Sequence, residues 1–214
     1  MTEIWTLIES RRLSVAGLLD DLSPAEWEKP SLCPGWTVRD VAAHLTLQQM
    51  GLRDALPVLT HWKGSMHRTI ADAARRRSAE LTTAQIAADI RDTAARRRRN
   101  LGVTPLETLT DLLVHEQDMA IPLGREVPMP PEAAALSCKR VLTMRMPPPQ
   151  PSMRRTAGLR LVATDIDWSH GTGPEVAGPM AALLLITTGR TVALPRLSGP
   201  GMAALTARFE AAGG

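Results

Sequence analysis

The sequence predicts an all-helical domain of roughly 145 residues followed by a small α/β domain of roughly 60. Three observations carry that prediction. As far as Met146, apolar residues recur at helical spacing, and two of the stretches open on threonine capping boxes. The run Pro147-Pro148-Pro149-Gln150-Pro151 then stops regular structure. Beyond it, Leu159-Arg160-Leu161-Val162-Ala163-Thr164 alternates as a strand does. The expected division is a bundle over 1–146, a proline-rich linker over 147–157 and an α/β unit over 158–214.

Taken in order, residues 3–20 carry Ile4, Leu7, Ile8, Val15, Leu18 and Leu19 on a helical period that breaks at Leu22-Ser23-Pro24. A loop punctuated by Pro24, Pro30, Pro34 and Gly35 leads to Thr37-Val38-Arg39-Asp40. There Thr37 is the N-cap and Asp40 its reciprocal partner, and the helix should run to about His61, kinked or ended by Pro57. Residues 66–79 and 83–100 read as Ala/Arg-rich helices. Thr104-Pro105-Leu106-Glu107 opens the next, with a cap, a first-turn proline and a capping-box glutamate, and it closes near Pro122-Leu123-Gly124. A further helix is expected from Pro131 to about Met146. In the second domain a turn at 171–173, an apolar helix over 176–188, a strand at Thr191-Val192-Ala193-Leu194 and a closing helix over 201–211 complete the reading.

Composition narrows the function. Hydrophobic residues make up 44%, enough for a core, but with one Phe and no Tyr it must be filled by aliphatics, and no tyrosine can act as an acid or radical site. The net charge is only +3, and the runs Arg75-Arg76-Arg77 and Arg96-Arg97-Arg98-Arg99 lack interleaved aromatics, so they read as solvated helix faces and no nucleic-acid partner is expected. No stretch approaches the roughly 18 apolar residues of a membrane span, and no signal peptide is evident at the N-terminus. Cys33 and Cys138 make no disulfide framework. The chain reads as cytoplasmic, a monomer or homodimer.

The residues that carry chemistry are His44 and, about seventy positions later, Asp111 and His115. The i, i+4 spacing of Asp111 and His115 sets a carboxylate and an imidazole on one helical face. Two imidazoles and one carboxylate form a usual ligand set for a catalytic zinc-type ion, with a fourth position left open. On a helical wheel Val41, Leu47, Gln48, Gly51 and Ala55 lie within about sixty degrees of His44, so it faces inward. A ligand role and a buried histidine bonded to a backbone carbonyl both fit that position. Periodicity alone would turn the stripe of Asp111, His115 and Asp118 outward as a solvated face, but the helix is apolar nearly everywhere else, which suits a helix inside a bundle with its polar stripe on a central site. Asp118 fits either the orientation of an imidazole or a cap or ion pair, Asp40 fits helix capping, and Cys33, in its proline-rich loop beside Trp36, fits packing.

Two stretches extend the reading. Leu22-Ser23-Pro24-Ala25-Glu26-Trp27 with Pro30-Ser31-Leu32-Cys33-Pro34-Gly35-Trp36-Thr37-Val38-Arg39-Asp40-Val41-Ala42-Ala43-His44-Leu45 resembles the N-terminal signature of the mycothiol-dependent maleylpyruvate isomerase family, within the DinB-like metal-binding four-helix-bundle superfamily. Leu113-Val114-His115-Glu116-Gln117-Asp118 with Pro122-Leu123-Gly124-Arg125 resembles its second signature, and Thr164-Asp165-Ile166-Asp167-Trp168 with 171–178 and 183–190 resembles its small C-terminal domain.

That resemblance implies a DinB-like bundle with a C-terminal α/β domain, a divalent metal (zinc by its ligand types) on His44, Asp111 and His115, and mycothiol as thiol cosubstrate. Asp111 stands where Glu or His is commoner. The implied chemistry is attack of a metal-bound thiolate on a small electrophilic substrate, ending either in cis–trans isomerisation or in S-transfer. Arg190, at the Gly189-Arg190 turn, is the candidate anchor for an anionic group of the thiol or substrate, a role its bidentate fork suits; a surface arginine ending a helix fits as well. A metal-dependent hydrolase using activated water and a non-catalytic metal- or thiol-binding regulatory module are the rival readings.

Overall fold

The computed structural model describes residues 2–49, 62–98, 103–144 and 154–211. They fall into two compact units, 1–127 and 128–214. The division therefore precedes the helix expected at Pro131, whereas the whole proline run anticipated as the boundary, 147–151, lies outside the described residues.

The first unit is helical. Helix α1 (Thr2–Asp20) and the single turn α2 (Pro24–Trp27) precede α3 (Val38–Thr46), which tightens into a 3-10 turn over Leu47–Gln49. The capping box that opens α3 is formed: the Thr37 N–H donates to Asp40 Oδ2 at 3.1 Å and the Asp40 N–H to Thr37 Oγ1 at 3.2 Å. Asp40 thus acts as a cap. Gly51, Ala55 and Pro57 of the expected continuation lie outside the described residues. Helices α4 (Met66–Glu80), α5 (Thr83–Asp92) and α6 (Pro105–Ala120) follow. Helix α3 packs on α4, α5 and α6, and α1 packs on α5 and α6. Ile8, Val15, Leu19, Val41, Ile86, Leu109 and Leu113 fill the space between them.

Helix α5 stops at Asp92, short of the expected 100. Past Ala94 the residues 95–98 are all exposed, so a further turn would bury nothing. Instead the buried Arg12 guanidinium donates to the carbonyls of Thr93, Ala94 and Arg96, at 3.4, 3.2 and 2.9 Å. A cation there complements the helix C-terminus. Burial lowers the Arg12 pKa to about 10, so it remains charged at neutral pH.

In the second unit α7 (Pro131–Thr143) packs on α8 (Met180–Thr187). Strands β1 (Arg160–Ala163), β2 (Ser169–His170) and β3 (Glu175–Gly178) form a sheet of order β2-β1-β3, with Leu161 opposite His170 in the antiparallel pair and Val176 in the parallel one. Two expectations are corrected. Residues 175–178 are strand, not helix: a Cβ at Gly178 would lie 2.8 Å from the Arg196 carbonyl, so the strand runs against that backbone and the helix starts only after Pro179. Thr191–Arg196 is a 3-10 turn, not a strand, with Pro195 inside it and no sheet neighbour. The closing helix α9 (Met202–Glu210) is where it was expected.

Candidate functional site

Helix α6 is buried nearly all round. Leu109, Leu112, Leu113, Val114 and Met119 are in the core, and so are Glu116, Gln117 and Asp118. Its polar stripe therefore points into the bundle, where it meets α3. His44 Nε2 lies 3.6 Å from Asp111 Oδ2, and the His44 and His115 ring centres are 5.0 Å apart and nearly perpendicular. One ligand atom from each of His44, Asp111 and His115 falls within 4.8 Å of the others. The structure thus brings these three residues together. The His44 and His115 side chains are 13% and 14% exposed and Asp111 is 46% exposed, so the cluster opens to solvent along Asp111.

The loop before α3 completes the site. Pro34 and Gly35 occupy the centre of a turn closed by the Trp36 N–H donating to the Cys33 carbonyl at 3.0 Å, and Gly35 has a φ of 74°. That is the type II pattern, in which the third position favours glycine. The Leu32 N–H donates to the Asp118 carbonyl at 3.0 Å, and Arg75 Nη2 donates to the Gly35 carbonyl at 3.0 Å, so the turn is pinned to α6 and α4. It delivers two side chains. Trp36 stands edge-on to His44, at 5.4 Å between centres, and stacks over His115 at 6.5 Å. The Cys33 thiol donates to Asp118 Oδ2 at 3.1 Å and lies 3.7 Å from His115 Nδ1.

Asp118 is fully buried and accepts from His115 Nδ1 at 2.8 Å. A carboxylate on one ring nitrogen leaves the other, Nε2, to a metal. Burial opposes the charge on His115, but Asp118, then Cys33 and Asp111, outweigh it and raise the pKa to about 10. Desolvation likewise opposes ionisation of Asp111, yet pairing with His44 and the charge of His115, assisted by Gln48, hold its carboxyl below the usual range. Without a metal the cluster is a mutually stabilised set of charges.

The residues fit a divalent ion. The 3.6 Å between His44 Nε2 and Asp111 Oδ2 is close to the spacing that tetrahedral bonds of about 2.0–2.2 Å impose. One polar atom beside it also has no partner among the described residues: His44 Nδ1 is buried without a hydrogen bond. Arg190 belongs to the second unit, where its N–H caps the end of α8 on the Leu185 carbonyl at 2.8 Å and Nη1 donates to Thr188 at 2.6 Å.

Sequence reasoning missed Cys33, assigned to packing, and passed over Trp36. Their signal was the Pro-Gly pair directly before a capped helix, which fixes a turn but names no partner.

The family described as "Mycothiol maleylpyruvate isomerase N-terminal domain" matches residues 11–120, a span that includes every residue of the cluster. No curated protein matches the sequence significantly. Among solved structures, a mycothiol-dependent maleylpyruvate isomerase is similar with a TM-score of 0.62 at 16% identity, covering 93% of this chain and 92% of its own. A histidine-to-alanine mutant of that isomerase gives 0.60 at the same identity and coverage. Among the described residues no helix is long and apolar enough to cross a membrane. With half of its length matched, the chain belongs to the mycothiol maleylpyruvate isomerase N-terminal domain family.

Proposed function

We propose that this protein is a DinB-like metalloenzyme that uses mycothiol to isomerise, or to become attached to, a small electrophilic substrate. The observation that carries the reading is the convergence of His44, Asp111 and His115 within 4.8 Å, open to solvent along Asp111. A divalent ion, zinc by ligand preference, would supply Lewis acidity that takes a thiol as thiolate at neutral pH. His44 and His115 present imidazole donors, and Asp111 adds one negative charge, which leaves the set electrophilic enough for a further anionic ligand. Asp118 holds the Nδ1 proton of His115 and so fixes the ring's orientation. Trp36 screens the imidazole pair from water on one side. We assign Arg190 to an anionic group of the thiol or substrate, on the strength of its guanidinium chemistry.

The test is spectroscopic and chemical. With cobalt in place of zinc, adding mycothiol should produce a new sulfur-to-cobalt charge-transfer band that His44→Ala does not show. Turnover of an activated olefin should need the thiol, and mass spectrometry should separate an isomerised product from a thiol conjugate. Metal-dependent turnover without thiol would instead identify a hydrolase and refute the proposal. Arg190→Ala should raise KM more than it lowers kcat; unchanged kinetics would remove Arg190 from the scheme.

A further inference from the structure

We infer that Cys33, Asp118 and the Nδ1 edge of His115 form a second metal position, selective for thiophilic ions, whose occupation shuts the Nε2 edge of the same ring. Its exclusivity rests on the reading of His44, Asp111 and His115 as the working metal site; the thiophilic position itself does not.

The donor geometry comes first. Asp118 Oδ2 is 2.8 Å from His115 Nδ1 and 3.1 Å from Cys33 Sγ, and Sγ is 3.7 Å from Nδ1. An ion just above the plane of so small a triangle reaches all three atoms at the roughly 2.0–2.3 Å bond lengths of zinc-type ions. The donors come from two separate segments that are fixed to each other, since the Leu32 N–H is bonded to the Asp118 carbonyl. Cys33 is only half-buried, which gives an ion a way in, while Asp118 is fully buried and needs a cation or donors opposite it.

Thiolate, imidazole and carboxylate together suit a thiophilic d10 ion, the class of zinc, cadmium and cuprous ions, better than a hard one such as magnesium. On coordination the thiol proton and the His115 Nδ1 proton both leave to solvent, and the charge of the ion is matched by the new thiolate and the Asp118 carboxylate. The ring keeps its other proton, on Nε2. That nitrogen then has no lone pair for an ion beside His44 and Asp111. One imidazole thus serves either of two neighbouring positions, and a thiophilic ion acts as an inhibitor that leaves the fold intact.

The experiment uses the full-length metal-free protein and cadmium as the probe, with no added thiol. Titration should give a sulfur-to-cadmium charge-transfer band that saturates at one equivalent, is lost in Cys33→Ser and persists in His44→Ala. In unmodified protein, bound cadmium should protect Cys33 from alkylation, read by peptide mass spectrometry, so the result does not depend on any variant folding. Absence of the band, its survival in Cys33→Ser or unprotected Cys33 would overturn the thiophilic position. Cadmium added to the cobalt-loaded protein should displace the cobalt spectrum, and a stable species holding both ions would overturn the exclusivity. The working-site reading fails separately, by full zinc retention in both His44→Ala and His115→Ala.

Discussion

Zinc uptake by the metal-free protein should release about one proton at pH 8, and that proton should come from His115. The ring titrates near pH 10 because it is paired with Asp118 and lies close to Asp111 and Cys33. At pH 8 it is therefore about 99% charged, whereas an ordinary imidazole, titrating near 6.5, has already lost its proton. Coordination requires the Nε2 lone pair, so the ion displaces that proton. The logarithm of zinc affinity should consequently rise by about one per pH unit between pH 8 and 9.5. Between pH 7 and pH 10 the effect amounts to about 4 kcal/mol, at 1.36 kcal/mol per pH unit. Calorimetric titration in buffers of different ionisation enthalpy reads the released protons directly. In Asp118→Asn the amide oxygen still accepts from Nδ1 but carries no charge, so the release at pH 8 should fall towards zero. Equal release from the parent protein and this variant would refute the assignment of the proton to the His115–Asp118 pair.

The same pair sets a pH dependence of stability. The folded His115 holds its proton to about pH 10, while the unfolded ring releases it near pH 6.5. Its contribution is therefore complete below pH 6.5 and is lost as pH rises towards 10, and thermal melts of the metal-free protein should decline over that window, less steeply in Asp118→Asn. Gly35→Ala should cost about 1–2 kcal/mol by denaturant unfolding, because φ is 74° there although the added Cβ meets nothing closer than Arg75 Nη2 at 3.5 Å. It should also weaken zinc binding by disturbing the turn that holds Trp36; unaltered stability would show that the turn relaxes freely. Arg12→Met should destabilise by about 2–4 kcal/mol in chemical denaturation, since three carbonyls lose a charged donor. A change under about 0.5 kcal/mol, the range of an ordinary surface substitution, would mean that water replaces the guanidinium at no cost.

What the sequence determined by itself is what a few adjacent residues decide. Thr37 with Asp40 and Thr104 with Glu107 start their helices because each cap is closed by a side chain three positions away. The i, i+4 spacing of Asp111 and His115 sets them on one face regardless of what that face meets. The inward direction of α6 could be read from its nearly continuous apolar surface. Tertiary structure decided the rest, for two physical reasons. Strand state is conferred by a partner: residues 175–178 are extended because they pair with β1 and run against the backbone at Arg196, while Thr191-Val192-Ala193-Leu194, also largely apolar, pairs with no strand among the described residues and coils into a 3-10 turn. The role of a lone polar side chain is likewise set by what reaches it. Cys33 resembled packing until the fold carried it across 85 positions of sequence to Asp118, and Asp118 could have been a cap until its carboxylate was found on His115 Nδ1. Contacts that distant leave no periodicity in the chain, so only the folded bundle shows that one imidazole faces two sets of donors.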